Sequence, residues 1–148
     1  MFLHRIPYLL APSVAVYATQ LFCRMERGAG DRVRFSPPSW LYGVVWPCLL
    51  AATGVAWSLA ASSNFPATHI AMCHVAYGLL CVALPAWIIT YSCANNRHAA
   101  KYVLVVCQSL AFTACGISTP IGKMLMAPLV TWLLFAQHIS LWEISMAS

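Results

Sequence analysis

The sequence predicts an all-α membrane protein, a bundle of five transmembrane helices forming one domain over residues 1–148. Three observations predict it. Charged residues make up 7% of the chain, hydrophobic residues 61%, and mean hydropathy is +0.76. The few charges sit between five long apolar stretches and almost never inside them. Apolar runs of about 17–25 residues match a bilayer core of about 30 Å at a helical rise of about 1.5 Å per residue. Helices are expected because lipid cannot hydrogen-bond the backbone, so each segment must satisfy its own N–H groups. A transmembrane barrel would alternate in polarity; the run Tyr102-Val103-Leu104-Val105-Val106 does not.

The first span covers about 6–23. Pro7, Pro12 and Gln20 interrupt its apolar core, which argues against a cleaved signal peptide. The stretch 24–39 is the longest polar one and holds Gly28-Ala29-Gly30, Arg24, Arg27, Arg32 and Arg34. Pro37 and Pro38 close it and are placed to open the second helix, where a missing N–H costs little. The second span covers about 40–61. Trp46 and Trp57 are eleven residues apart there, hence on one helical face. The small pairs Ala52/Ala56 and Gly54/Ser58 would admit a close neighbouring helix. Phe65-Pro66 marks the next turn, and the third span covers about 68–93. Asn95-Asn96-Arg97-His98 turns the chain into a fourth span, about 102–117. Ser118-Thr119-Pro120 leads to the fifth, about 124–142. Trp40, Tyr91, Tyr102 and Trp142 lie at span ends, where aromatic side chains anchor to the interface.

The net charge of +5 reads as topology rather than as affinity for nucleic acid. Arg24, Arg27, Arg32, Arg34, Arg97 and Lys101 fall on the side that would also hold the C-terminus; Arg5 and Lys123 fall on the other. The positive-inside rule puts the first loop and the C-terminus in the cytosol. The seven cysteines (Cys23, Cys48, Cys73, Cys81, Cys93, Cys107, Cys115) form no Cys-x-x-Cys pair. They are expected to be buried free thiols acting as small hydrophobes, with neither a zinc site nor a disulfide framework. Glu26, Asp31 and Glu143 are the only acids. With none mid-span, paired-carboxylate catalysis, an acidic proton relay and a Walker-type phosphate loop are excluded. No catalytic residue and no metal ligand is assigned.

Large flat side chains gather on two spans. Trp132, Phe135, Ala136 and Ile139 follow the i, i+3, i+4, i+7 spacing of one face, and Trp46 is expected to meet them across the bundle. Such a lining suits a flat apolar ligand; ordinary helix packing produces the same stripe. His74 and His138 lie within spans. They would ligate a haem iron or hydrogen-bond between helices near Gln108 and Gln137.

Three segments carry a family resemblance. Ser36-Pro37-Pro38-Ser39-Trp40-Leu41-Tyr42-Gly43-Val44-Val45-Trp46 resembles the Pro-Pro-x-Trp-x-x-Gly-x-Val-Trp signature of the translocator protein family, also called the TspO/MBR or peripheral-type benzodiazepine receptor family. Leu10-Ala11-Pro12-Ser13 is similar to that family's first-helix Leu-Ala-Pro-Ser. Pro128-Leu129-Val130-Thr131-Trp132-Leu133-Leu134-Phe135-Ala136 is similar to its fifth-helix Pro-Tyr-Leu-x-Trp-x-x-Phe-Ala. The family's third-helix Asn-Trp-Ala-Trp-Pro-Pro is represented only by Ala83-Leu84-Pro85-Ala86-Trp87, and its Tyr-to-basic sterol pattern is absent from the fifth helix.

The resemblance implies a five-helix receptor that binds tetrapyrroles (protoporphyrin or haem) and other flat lipophiles, sterol among them, with a role in their transport or homeostasis. No cofactor is required; porphyrin or haem is the ligand. The implied cavity takes Tyr42, Gly43, Val45 and Trp46 from the second helix and Trp132, Phe135, Ala136 and Ile139 from the fifth. Thr19 and Phe22 of the first and Trp87 of the third complete it. Arg32 and Arg34 are candidates to pair with propionates through guanidinium–carboxylate geometry; they also read as inside-positive loop residues. Tryptophan-assisted photo-oxidation of a porphyrin is the one reaction implied. The family further implies an outer mitochondrial membrane in a eukaryotic host, and often a homodimer. Two other classes stay open: a pore or small transporter using Gln108, Gln137 and His138, and a scaffold that recruits partners through the first loop.

Overall fold

The structure, a computed structural model, describes residues 5–24 and 36–147. Five helices build it: α1 (Ile6–Phe22), α2 (Ser39–Ala61), α3 (Ala67–Ile88), α4 (Arg97–Ile117) and α5 (Pro120–Ala147). A π-helical turn, Ile89–Cys93, prolongs α3. There is no strand among the described residues. The all-α bundle expected from the sequence is the architecture found. Helices α2 to α5 are long and apolar enough to cross a membrane, which makes this a multi-pass membrane protein. Helix α1 is apolar and 17 residues long, at the lower bound of about 17 for a crossing.

Two helix starts differ from the sequence reading, for one reason. Apolar runs mark where lipid begins, whereas caps mark where a helix begins. Asn96 accepts the Ala99 N–H at 3.0 Å through its side chain, an N-cap. Helix α4 therefore starts at Arg97, five residues before the apolar run. Thr119 accepts the Gly122 N–H at 3.1 Å in the same manner, with Pro120 at the first helical position, where its absent N–H is no loss. At the other end α5 continues past Trp142 to Ala147, so Glu143 lies inside the helix rather than at its end.

Consecutive helices run antiparallel. One end of the bundle collects Phe22, Ser39, Cys93, Arg97 and the last turn of α5; the opposite end collects Ile6, Ala61, Ala67, Ile117 and Pro120. Around the bundle the order is α1, α2, α5, α4, α3, with α3 closing back on α1 and α2 reaching α3 across the interior. Leu50, Leu80, Leu84, Leu104, Met126, Leu129 and Leu133 fill the core. Leu21, Val82, Ile121 and Met124 are exposed on the outside, the solvent-facing pattern of a protein whose solvent is lipid.

The α1–α2 contact depends on Gly54. A Cβ there would run into the Leu9 carbonyl. The small face read from the sequence thus serves packing within the chain, as close approach of membrane helices requires.

The cysteine expectation fails at one pair. Cys23 and Cys93 form a disulfide, with Cα atoms 5.3 Å apart. Seventy residues separate them; α1 and α3 run parallel and pack together, with α2 returning between them in sequence, and this brings both cysteines to one end. Cys48, Cys73, Cys81, Cys107 and Cys115 are free thiols.

Candidate functional site

Two aromatic clusters form, one near each end of the bundle. Toward the disulfide end, Trp46 of α2 stacks on Trp87 of α3 with centroids 6.3 Å apart and planes 28° apart. Trp87 in turn stacks on Tyr91, one turn on, at 5.7 Å. One turn before Trp46, Tyr42 of α2 meets Trp132 of α5 edge-on at 5.5 Å, and Trp132 contacts Phe135 at 5.8 Å. Spacings of about 4.5–7 Å are those at which aromatic pairs attract beyond their area burial.

A buried acid closes this end. Tyr91 donates its hydroxyl to the Glu143 carboxylate, 3.0 Å to one oxygen and 3.2 Å to the other. Arg97 pairs with Glu143 at 3.4 Å and lies over the Tyr91 ring. Glu143 is 8% exposed, so its charge is tolerable only with these partners. Tyr91 is accordingly not the interfacial anchor its position suggested. Trp40, Tyr102 and Trp142 are exposed as anchors should be. Glu143 was missed because it sat at the edge of an apolar run. One signal could have found it: it lies eleven residues after Trp132, hence on the same face of α5.

The second cluster lies toward the opposite end. Trp57 donates its indole N–H to Nδ1 of His74 at 3.0 Å and stacks on Tyr77 at 5.6 Å, with planes 8° apart. Tyr77 and Ser118 share a hydrogen bond of 2.6 Å. His69 reaches the Ile117 carbonyl at 2.7 Å. Of the two roles open to His74, interhelical bonding is the one the structure gives it. His138 is exposed and bonds its own-helix Leu134 carbonyl at 3.3 Å. His74 lies seven residues into α3 and His138 eighteen into α5, which sets them about 16 Å apart along the bundle. They cannot share one iron.

The remaining anticipated residues divide. Trp46 and Trp87 are buried, and Tyr42, Val45, Trp132 and Ala136 pack against the core. Ile139 is half-buried and Phe135 sits at the outer edge. Trp46 meets the third helix, where the sequence reading had it meeting the fifth; Tyr42 takes that place. Thr19 bonds the Ala15 carbonyl of its own helix at 2.8 Å. Phe22 is 87% exposed, because it ends α1 on the lipid side. Gly43 also faces outward, with nothing within 4 Å of where a Cβ would stand. Neither lines the interior. Arg32 and Arg34 lie outside the described residues. Gln108 donates to the Leu133 carbonyl at 2.9 Å, so it ties α4 to α5 rather than lining a water path.

An open recess of about 450 Å³ lies at the disulfide end, bordered by Ala94, Asn95, Asn96, Arg97, His98 and Ile144. Its lining holds no phenyl, phenol or indole ring and does not coincide with the aromatic walls. No family model and no curated protein matches the chain.

Proposed function

We propose that the chain is a translocator-like membrane receptor that takes a flat lipophilic ligand of tetrapyrrole type between its aromatic walls. The observation that carries this reading is the gathering of two sets of ring contacts, Trp46–Trp87–Tyr91 and Tyr42–Trp132–Phe135, on α2, α3 and α5 toward the disulfide end of the bundle. Rings contributed by three helices offer a planar ring system stacking partners and removal of its apolar surface from water. The sequence likeness to the translocator family at Pro37-Pro38, Trp46 and Trp132 supports the same ligand class. On this reading Arg32 and Arg34 pair with the propionates, and the first loop and C-terminus face the cytosol. Arg24, Arg97 and Lys101 at the disulfide end, against Arg5 and Lys123 at the other, support that orientation.

The test is titration of the purified full chain with protoporphyrin, following affinity rather than quenching amplitude. Trp46→Phe and Trp132→Phe should each weaken binding. Trp57→Phe, in the opposite cluster, should leave it unchanged. Absence of saturable binding, or equal affinities across the three variants and the unsubstituted chain, rejects the proposal.

A further inference from the structure

Several buried polar tips in the bundle have partners. Trp57 donates to His74, Tyr77 bonds Ser118 and Tyr91 bonds Glu143. Helical hydroxyls turn back on their own backbone: Thr53, Ser109, Ser118 and Thr131 each bond the carbonyl four residues earlier. Six side-chain atoms break this pattern, on Arg5, Ser36, Trp87, Ser92, Gln137 and Ser140; among them only Trp87 and Ser140 are buried as whole residues. The indole Nε1 of Trp87 and the hydroxyl of Ser140 are buried with no partner. Trp87 is 9% exposed and Ser140 5%. A buried donor left unbonded in an apolar interior is costly, and buried tryptophan N–H groups ordinarily find an acceptor.

The two lie at one depth. Trp87 is twenty residues into α3 and Ser140 twenty into α5, each about 30 Å from the opposite end. Their neighbours one turn on, Tyr91 and Glu143, hydrogen-bond to one another, so the same faces of α3 and α5 oppose each other one turn deeper. The Trp87 ring is stacked against Trp46 and against Tyr91, which fixes the direction of its N–H. The Gln137 Oε1 atom, one turn before Ser140, is likewise unpartnered.

We infer that Trp87 Nε1 and Ser140 Oγ form a polar subsite that reads a neutral carbonyl on the edge of a flat apolar ligand. The ligand oxygen accepts from both, while its ring plane lies among Trp46, Trp87 and Trp132. The carbonyl is neutral because Glu143 is one turn away, and a second carboxylate beside it in a low-dielectric interior would be repelled. This inference rests on the reading of the aromatic region as a ligand site.

Binding of fluorene and 9-fluorenone to the full chain in nanodiscs, against empty nanodiscs, tests it. The two share a three-ring frame, with a methylene in one where the other has a carbonyl. Fluorenone should bind about tenfold more tightly, the ratio one net hydrogen bond supports. Trp87→Phe and Ser140→Ala should each shrink that ratio toward one, the two affinities being compared within each variant. Ser140→Ala removes one oxygen and serves if Trp87→Phe does not fold. The anion fluorene-9-carboxylate should bind the weakest of the three. Equal affinities for fluorene and fluorenone, a preference that survives both substitutions, or tightest binding of the anion overturns the subsite. Protoporphyrin titration of the same preparation separates the two proposals. Porphyrin binding without carbonyl preference removes the subsite alone. Carbonyl preference without porphyrin binding supports the subsite and removes the tetrapyrrole ligand, and no binding of any probe removes both.

Discussion

Tyr91 and Glu143 join α3 to α5 through a phenol–carboxylate hydrogen bond of 3.0 Å, although these helices are not neighbours around the bundle. The bond spans the interior at the disulfide end and supports a carboxylate whose only described cationic partner is Arg97 at 3.4 Å. Tyr91→Phe removes a donor from a buried anion while keeping the ring that stacks on Trp87. It should lower stability by about 1–3 kcal/mol, read as a reduced melting temperature in detergent. An unchanged melting temperature would show that the bond contributes nothing.

Gly54 meets the Leu9 backbone where α1 crosses α2. Backbone cannot step aside as a side chain can, so Gly54→Ala should cost about 1–3 kcal/mol through overpacking. Gly78→Ala, where nothing lies within 4 Å of the new methyl, should be close to neutral. Thermal unfolding of the two variants side by side checks the contrast; equal losses would contradict the close approach.

The Cys23–Cys93 disulfide ties the end of α1 to the end of α3. A cross-link closing so long a segment contributes about 2–4 kcal/mol. Reductant should therefore lower the melting temperature of the unsubstituted chain and leave Cys93→Ser unaffected. Non-reducing peptide mapping should recover the two cysteines in one linked fragment. Recovery of both as free thiols from non-reduced protein would refute the bond.

Trp57 and His74 tie α2 to α3 near the opposite end. Interhelical side-chain bonds in membrane proteins average about 0.6 kcal/mol and reach about 1.7. A double-mutant cycle of Trp57→Phe and His74→Ala should give a coupling energy within that range. Strict additivity would mean that the 3.0 Å contact carries no energy.

The five crossings expected from the sequence would place the start of α1 and the end of α5 on opposite faces. Epitope tags at Met1 and Ser148 should be reached by antibody from different sides of intact, oriented vesicles. Access to both from one side would leave α1 lying outside the crossing set.

Much of this was legible in the chain. Charge-free runs gave the number and order of helices, because the bilayer filters sequence by length and polarity before any packing occurs. Prolines and capping side chains marked several boundaries, although Asn96 and Thr119 showed that a helix can begin well before its apolar run. That Trp46 and Trp57 share a face followed from their eleven-residue spacing, and the structure buries both. Partners did not follow, since one helical period is compatible with any neighbour. Trp46 went to α3 and Tyr42 to α5, and Phe22 and Gly43 turned outward.

The sequence by itself determined a membrane bundle of five helices, since hydropathy and backbone satisfaction act within each segment. Only the tertiary structure decided which polar groups meet. The Cys23–Cys93 disulfide, the Tyr91–Glu143–Arg97 cluster and the unpartnered Trp87 and Ser140 lie across different helices. Helix order and axial register set those meetings, and neither is written in the period of any single helix.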